Sequence, residues 1–202
     1  MKQVRFNVRL FGYLAAAAFI ASAITTQCVR ADMIGQAAPT FTLANVVTGT
    51  STDLGSLRMD KKATVVVFIG VKCPVSNAYN ERLNTLANEY SAKGIQFVAI
   101  NSNLNETPDK VQEHAKANNF AFPVLKDFDS SVANAYGARH TPEAYVIDAN
   151  GNIVYRGRID DSQDPTMVTS HDLANALDDI LVGLPVTNAE TRAFGCSIRR
   201  HK

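Results

Sequence analysis

One cysteine sits where two contrasting stretches of chain meet, and its neighbours are those that make a thiol reactive. The apolar run Ala63–Ile69 leads into Gly70-Val71-Lys72-Cys73-Pro74-Val75-Ser76-Asn77. Proline suits the first position of a helix, because the N–H it lacks has no partner there anyway. Cys73 is therefore expected at a helix N-terminus, where free amides and partial positive charge favour an anion. A free thiol with a pKa of about 8.5 is mostly protonated at neutral pH, and lowering it by about two units makes the nucleophilic thiolate the major form. Lys72 adds a cation if its side chain turns toward the sulfur. The competing reading is a buried, inert cysteine at the end of a strand.

Ser76 stands three residues after Cys73, where a Cys-x-x-Cys site carries its second thiol. A hydroxyl cannot resolve a mixed disulfide, so this site cannot run a local two-thiol cycle. Ser76 has two open roles, donating to the sulfur or satisfying an amide at the helix start. Cys196 is the other thiol outside the N-terminal segment. From Leu184 an extended tail reaches roughly 40 Å at about 3.3 Å per residue, enough to return to Cys73. Three readings of Cys196 stand: a resolving thiol on a mobile tail, half of a permanent disulfide, or an unpaired or partner-facing cysteine. A permanent bond closing so long a loop is worth about 4–5 kcal/mol.

Thr141-Pro142 opens an apolar strand. A cis proline there removes an amide near the sulfur and leaves the backbone of the preceding residue free to pair with an extended chain; an ordinary trans proline at a strand's first residue is the alternative. His140 and Arg139 are read as surface groups, although either could approach the sulfur. Asp160-Asp161 lacks the further oxygen ligands of a cation site, and His114, His171 and His201 show no ligand spacing with the cysteines. No metal and no other cofactor is expected.

The elements that must position these residues follow from periodicity. Ala63–Ile69 and Ile95–Ile100 are apolar without alternation, as strands buried on both faces of a parallel sheet are. Between them Val75, Tyr79, Leu83, Leu86 and Tyr90 recur at helical spacing up to Gly94, predicting one amphipathic helix. Upstream, Phe41-Thr42-Leu43 and the polar stretch Thr50–Asp53 suggest a peripheral strand or hairpin. Thr107-Pro108 starts a helix running to about Asn118, Phe122–Leu125 is extended, and Ser130–Tyr136 is a short helix ended by Gly137. Asn150-Gly151 predicts a two-residue hairpin turn pairing Ala144–Asp148 with Ile153–Arg156. Ser170 caps a last helix bearing Leu173, Leu177, Ile180 and Leu181. The order β-α-β-α, hairpin, α is a thioredoxin-like α/β arrangement, a central mixed sheet with helices on both faces.

The chain has 202 residues, 46% of them apolar, which fits one domain with an appendage. The appendage is residues 1–31. Lys2, Arg5 and Arg9 precede an apolar run from Leu10 to Ile24, and a polar segment ends at Val29-Arg30-Ala31, the pattern of a secretory signal. The run is shorter than the roughly 20 residues a spanning helix needs, so cleavage after Ala31 and export to a periplasmic or extracellular space is the main expectation. An uncleaved anchor through residues 10–24 is the alternative. Cleavage removes Cys28 together with Lys2, Arg5, Arg9 and Arg30 and no acid; from 20 basic and 19 acidic residues this leaves a net charge of −3. That balance argues against nucleic acid or an acidic membrane as a partner. The expected division is a signal over 1–31, a domain over 32–183 and a cysteine-bearing tail over 184–202.

From about Ile34 to Ile198 the chain resembles the peroxiredoxin-like branch of the thioredoxin superfamily, the redoxin or thiol-specific-antioxidant-like proteins. The resemblance rests on Gly70–Asn77, Phe122–Leu125, Thr141–Asp148, Tyr155–Asp161 and Phe194–Ile198. It implies an oxidoreductase in which Cys73 is the nucleophile, Cys196 its partner, and Lys72, Pro74, Ser76, Thr141 and Pro142 support them. The implied partner is a thiol or disulfide on a protein or a small molecule. True peroxiredoxins carry a proline seven and a threonine three residues before the cysteine, with an arginine for the peroxide. Here those places hold Val66, Gly70 and, for the arginine, Pro142. Disulfide exchange is thus the leading expectation, with a slow peroxidase or a non-catalytic binding or redox-sensing module as alternatives.

Overall fold

The computed structural model describes Met1 and residues 33–200. Apart from Met1, the predicted signal over 1–31 lies outside the described residues, with Cys28, and so does His201. Among the described residues no helix is long and apolar enough to cross a membrane.

In chain order the elements are β1 (Thr42–Asn45), β2 (Ser51–Asp53), α1 (Leu54–Arg58), β3 (Ala63–Phe68), α2 (Pro74–Asn77), α3 (Asn80–Ser91), β4 (Ile95–Asn101), α4 (Pro108–Ala117), β5 (Val124–Lys126), α5 (Ser131–Ala135), β6 (His140–Thr141), β7 (Glu143–Asp148), β8 (Ile153–Gly157), α6 (Asp172–Leu181) and β9 (Cys196–Ser197). Seven strands form one sheet in the order β2-β1-β5-β4-β3-β7-β8, and β6 with β9 forms a separate pair. β3, β4 and β5 are mutually parallel, whereas β7 runs antiparallel to β3, with Phe68 opposite Glu143. This is the expected thioredoxin-like mixed sheet.

Alternating side chains of the central strands feed two cores. Val65, Val67 and Ile69 pack with Leu83, Tyr90, Val111 and Leu177 of the helices on one face. Val66 and Phe68 pack with Leu54, Val132, Tyr136 and Tyr145 on the other. Both faces of β3 are thus apolar because both are covered. The strand's C-terminal end is held from all sides, and the loop it feeds is the one that carries Cys73.

Four expectations are corrected in detail. The single helix after Cys73 is two, α2 and α3, because the Tyr79 amide bonds Ser76 O, three residues back, instead of Val75 O. The Asn150-Gly151 turn has three residues, not two: Asp148 N–H donates to Asn152 O, and Gly151, at φ 93°, donates back to Asp148 O. Ser170 does not cap α6; His171 occupies that position, and the Ser170 hydroxyl bonds Asp172 instead. Thr107 does take the N-cap position of α4, but its hydroxyl makes no capping bond.

Candidate active site

Cys73 is the N-cap residue of α2, and its sulfur accepts the Ser76 amide at 3.3 Å. Cys73 is 4% exposed, and its sulfur also lies 3.1 Å from the carbonyl of Thr141, to which the protonated thiol donates. The Thr141–Pro142 bond is cis, as expected. Pro74 occupies the first turn of α2.

The second thiol is beside the first. Antiparallel pairing of β6 with β9 sets Thr141 opposite Cys196 and His140 opposite Ser197, and Cys73 and Cys196 line the same cleft. Burial pushes the Cys73 thiol up, but the polar groups of Cys196 and Thr141 beside the sulfur and the Ser76 amide that donates to it outweigh burial, and the balance is a lowered pKa. Cys196 moves the opposite way, raised by burial, by the neighbouring Cys73 and by the negative charges of Cys73 and Glu106. Both are free thiols. The environment therefore makes Cys73 the more acidic of the two thiols.

The tail bearing Cys196 is pinned along its length, where the sequence suggested a mobile segment. Arg156 N–H donates to Ala189 O, Thr191 N–H to Arg156 O, and the Thr191 hydroxyl pairs with Tyr155. Phe194 packs edge-on to Tyr79 with ring centroids 6.3 Å apart, and Ile198 is buried in the second core. Ile198 N–H bonds Arg139 O, and Arg199 closes on both Asn103 and Leu104. Gly195 lies so close to β6 that a Cβ there would stand 2.2 Å from Thr141 O. Only glycine permits this approach, at a φ of 136°.

The supporting residues act differently from their sequence reading. Lys72 turns its ammonium to Asn105 O at 3.5 Å rather than to the sulfur. The Ser76 hydroxyl takes neither anticipated role: it accepts the Gly70 amide at 3.1 Å and closes the loop in front of the helix. His140 faces the tail, with Nδ1 3.4 Å from Gly195 O, and Arg139 is exposed. Asp160 is a structural anchor that accepts the Tyr79 hydroxyl and pairs with Arg82. Asp161 accepts from Thr169. Among the described residues no cluster of His, Cys, Asp or Glu could hold a metal.

Two buried carboxylates escaped the sequence reading. Glu106 accepts the consecutive amides of Val71 (3.0 Å) and Lys72 (2.8 Å), together with the side-chain amides of Asn101 (2.5 Å) and Asn103 (3.2 Å). Buried Lys126 backs this cluster, donating to Asn101 Oδ1 and to the carbonyl of Asn103, each at 2.8 Å. Glu143 accepts the amides of Arg139 (2.7 Å) and His140 (3.0 Å) and the Tyr145 hydroxyl, with Arg156 at 4.0 Å. The available signal was polar residues at the ends of apolar strands: Asn101-Ser102-Asn103 after β4, and Glu143 at the head of β7.

A cleft of about 500 Å³ opens onto the two sulfurs, and Lys72, Asn105, Glu106 and Arg199 stand around it. The arrangement can hold a thiolate, present it to a bound group and deliver a second thiol to it without moving a domain.

Residues 33–177 match the Redoxin family. A solved structure of an uncharacterized conserved protein from Geobacillus kaustophilus is similar over 83% of this chain and 92% of its own, with 38% identity and a TM-score of 0.78. A hypothetical protein from Sinorhizobium meliloti is similar over 83% of this chain and 94% of its own, with 35% identity and a TM-score of 0.77. A curated relative, the thiol-disulfide oxidoreductase ResA of Halalkalibacterium halodurans, is 30% identical over 120 residues, 59% of this chain. The aligned stretch covers 65% of that relative, just under two thirds of its length.

Proposed function

The chain belongs to the Redoxin family, and on that premise we propose that it is an exported thiol-disulfide oxidoreductase with Cys73 as nucleophile and Cys196 as resolving thiol. The observation that carries this reading is the β6–β9 register, which sets Cys196 opposite Thr141, the residue whose carbonyl lies 3.1 Å from the Cys73 sulfur, so that both cysteines line one cleft. The name of the ResA relative points the same way. Export rests on the sequence of residues 1–31.

The Cys73 thiolate attacks one sulfur of a substrate disulfide, forming a mixed disulfide as the other sulfur leaves as a thiolate. Cys196 gives its proton to that leaving thiolate and, now a thiolate itself, attacks the Cys73 sulfur and expels the second substrate sulfur. The pair of thiols is oxidised to a Cys73–Cys196 disulfide, and the substrate disulfide is reduced by two electrons. A reducing thiol runs the same steps backward. The donors around Cys73 hold the negative charge before attack and again when Cys73 is the leaving group, since a lower pKa leaves faster. Because the pKa of Cys73 is lowered, its reactivity persists to lower pH than that of an ordinary thiol.

Peroxide chemistry is the weaker reading on steric grounds. At Gly70, where peroxiredoxins carry threonine, a Cβ would meet Thr141 Oγ1 at 2.9 Å and Asn103 Nδ2 and Cys73 Cβ at 3.1 Å. No space remains there for a peroxide-binding hydroxyl.

The test is trapping. With a substrate disulfide, Cys196→Ser should accumulate a mixed disulfide at Cys73, read by mass spectrometry of the intact protein. Wild type should instead pass to an intramolecular Cys73–Cys196 bond. Turnover that survives in Cys73→Ser would overturn the assignment.

A further inference from the structure

The tail strand covers the place where an extended substrate would pair. The backbone edge of Thr141, next to the nucleophile, is already hydrogen-bonded to β9, and Gly195 lies against the Thr141 carbonyl. A polypeptide adding itself as a strand there must first expel this chain's own segment. That segment is held by the buried Ile198, by Ile198 N–H on Arg139 O and by two hydrogen bonds between Arg199 and the Asn103-Leu104 backbone and side chain.

The remaining way to the sulfurs is the cleft of about 500 Å³, within the size range of small-molecule sites. Its charges are arranged unequally. Lys72 and Arg199 are both exposed at its rim, and among the described residues neither makes an ion pair. Glu106 is 3% exposed, and its oxygens already accept four N–H groups. Cations thus face the entrant while the carboxylate faces the protein.

Building on the exchange reading above, we propose that the substrate of this site is a low-molecular-weight disulfide bearing carboxylates, guided by Lys72 and Arg199, and that β9 excludes polypeptide disulfides. The balance is that of exchange. The small disulfide accepts two electrons and leaves as one thiol, which takes the Cys196 proton, and one thiolate, and the Cys73–Cys196 bond forms. Two thiols of the same class, themselves oxidised to a disulfide, return the enzyme to its dithiol form.

The experiment compares three probes on the full chain at low salt: the dicarboxylate dithiobis-nitrobenzoate, uncharged dithiodipyridine and insulin. In wild type the ratio of dicarboxylate to uncharged rate at Cys73, each normalised to the rate with free cysteine, should be about tenfold above one and fall with added salt. In Lys72→Ala/Arg199→Ala this ratio should collapse toward one, and insulin should be slow in wild type. Gly195→Val and, independently, Ile198→Asp should unseat β9, and Cys196 with it, and so speed formation of the Cys73–insulin mixed disulfide, read by mass spectrometry, without restoring its resolution. A wild-type ratio near one, or insulin turnover as fast as that of the small probes, would overturn the proposal while leaving exchange intact. Failure of every disulfide to react at Cys73 would instead defeat the exchange reading on which it rests.

Discussion

Glu106 and Glu143 do the same mechanical job on opposite walls of the site. Each buries a carboxylate under a loop and accepts two consecutive backbone amides, Val71 and Lys72 for one, Arg139 and His140 for the other. One loop carries Cys73, and the other carries the strand edge that holds Cys196. They differ in what surrounds the charge. Glu143 is enclosed with Arg156 and the Tyr145 hydroxyl. Glu106 has only neutral donors in direct contact and borders the open cleft. A carboxylate paired with a buried cation positions a loop and little else. One left without a directly bonded cation also acts on neighbouring thiols, and Glu106 is among the causes that raise Cys196.

The largest test of this contrast is removal. Glu143→Ala leaves buried Arg156 with only the half-exposed Glu190, 3.7 Å away, frees the amides of Arg139 and His140, and should cost about 3–5 kcal/mol. Glu106→Ala should cost less, about 2–3 kcal/mol, because water in the cleft can reach the freed amides. Urea unfolding of both variants measures the difference, and the reverse order would break the comparison. A sharper test is electrostatic. In a Cys73→Ser background, Glu106→Gln removes a negative charge near Cys196, so the pH midpoint of Cys196 alkylation should move down. Glu143→Gln, whose charge is met by Arg156, should leave that midpoint in place. The smallest effect belongs to Ser76→Ala, which frees only the Gly70 amide and should cost about 1 kcal/mol. A loss of exchange activity far beyond that of the stability change would mean that Ser76 touches the chemistry after all.

The sequence makes Cys73, Pro74, the buried strands β3 and β4 and the cis Thr141-Pro142 legible because their signals are local. Strand burial shows as an unbroken β-branched run, and a helix start shows as cysteine followed by proline. Glu106 and Glu143 leave weaker traces. The amides bound by Glu106 lie 34 and 35 residues away, and nothing in the composition around it names them. The break between α2 and α3 is silent because Val75, Tyr79 and Leu83 keep helical spacing across it. The tail was misread for a related reason. Gly195, Thr191 and Ile198 look like loop residues until β6, Tyr155 and the second core are set beside them.

The register that sets Thr141 opposite Cys196 joins positions far apart in the chain. A disulfide in a Cys-x-x-Cys motif closes a tiny ring and hardly restrains an unfolded chain. A bond between Cys73 and Cys196 would close a loop of more than a hundred residues, worth about 4–5 kcal/mol against unfolding. Linkage makes this reciprocal: whatever the bond gives to the fold, the fold gives to the bond, so the oxidised thiols resist reduction far better folded than unfolded. Redox state and durability become one variable, and the protein would be most resistant to heat and proteolysis when its surroundings are most oxidising.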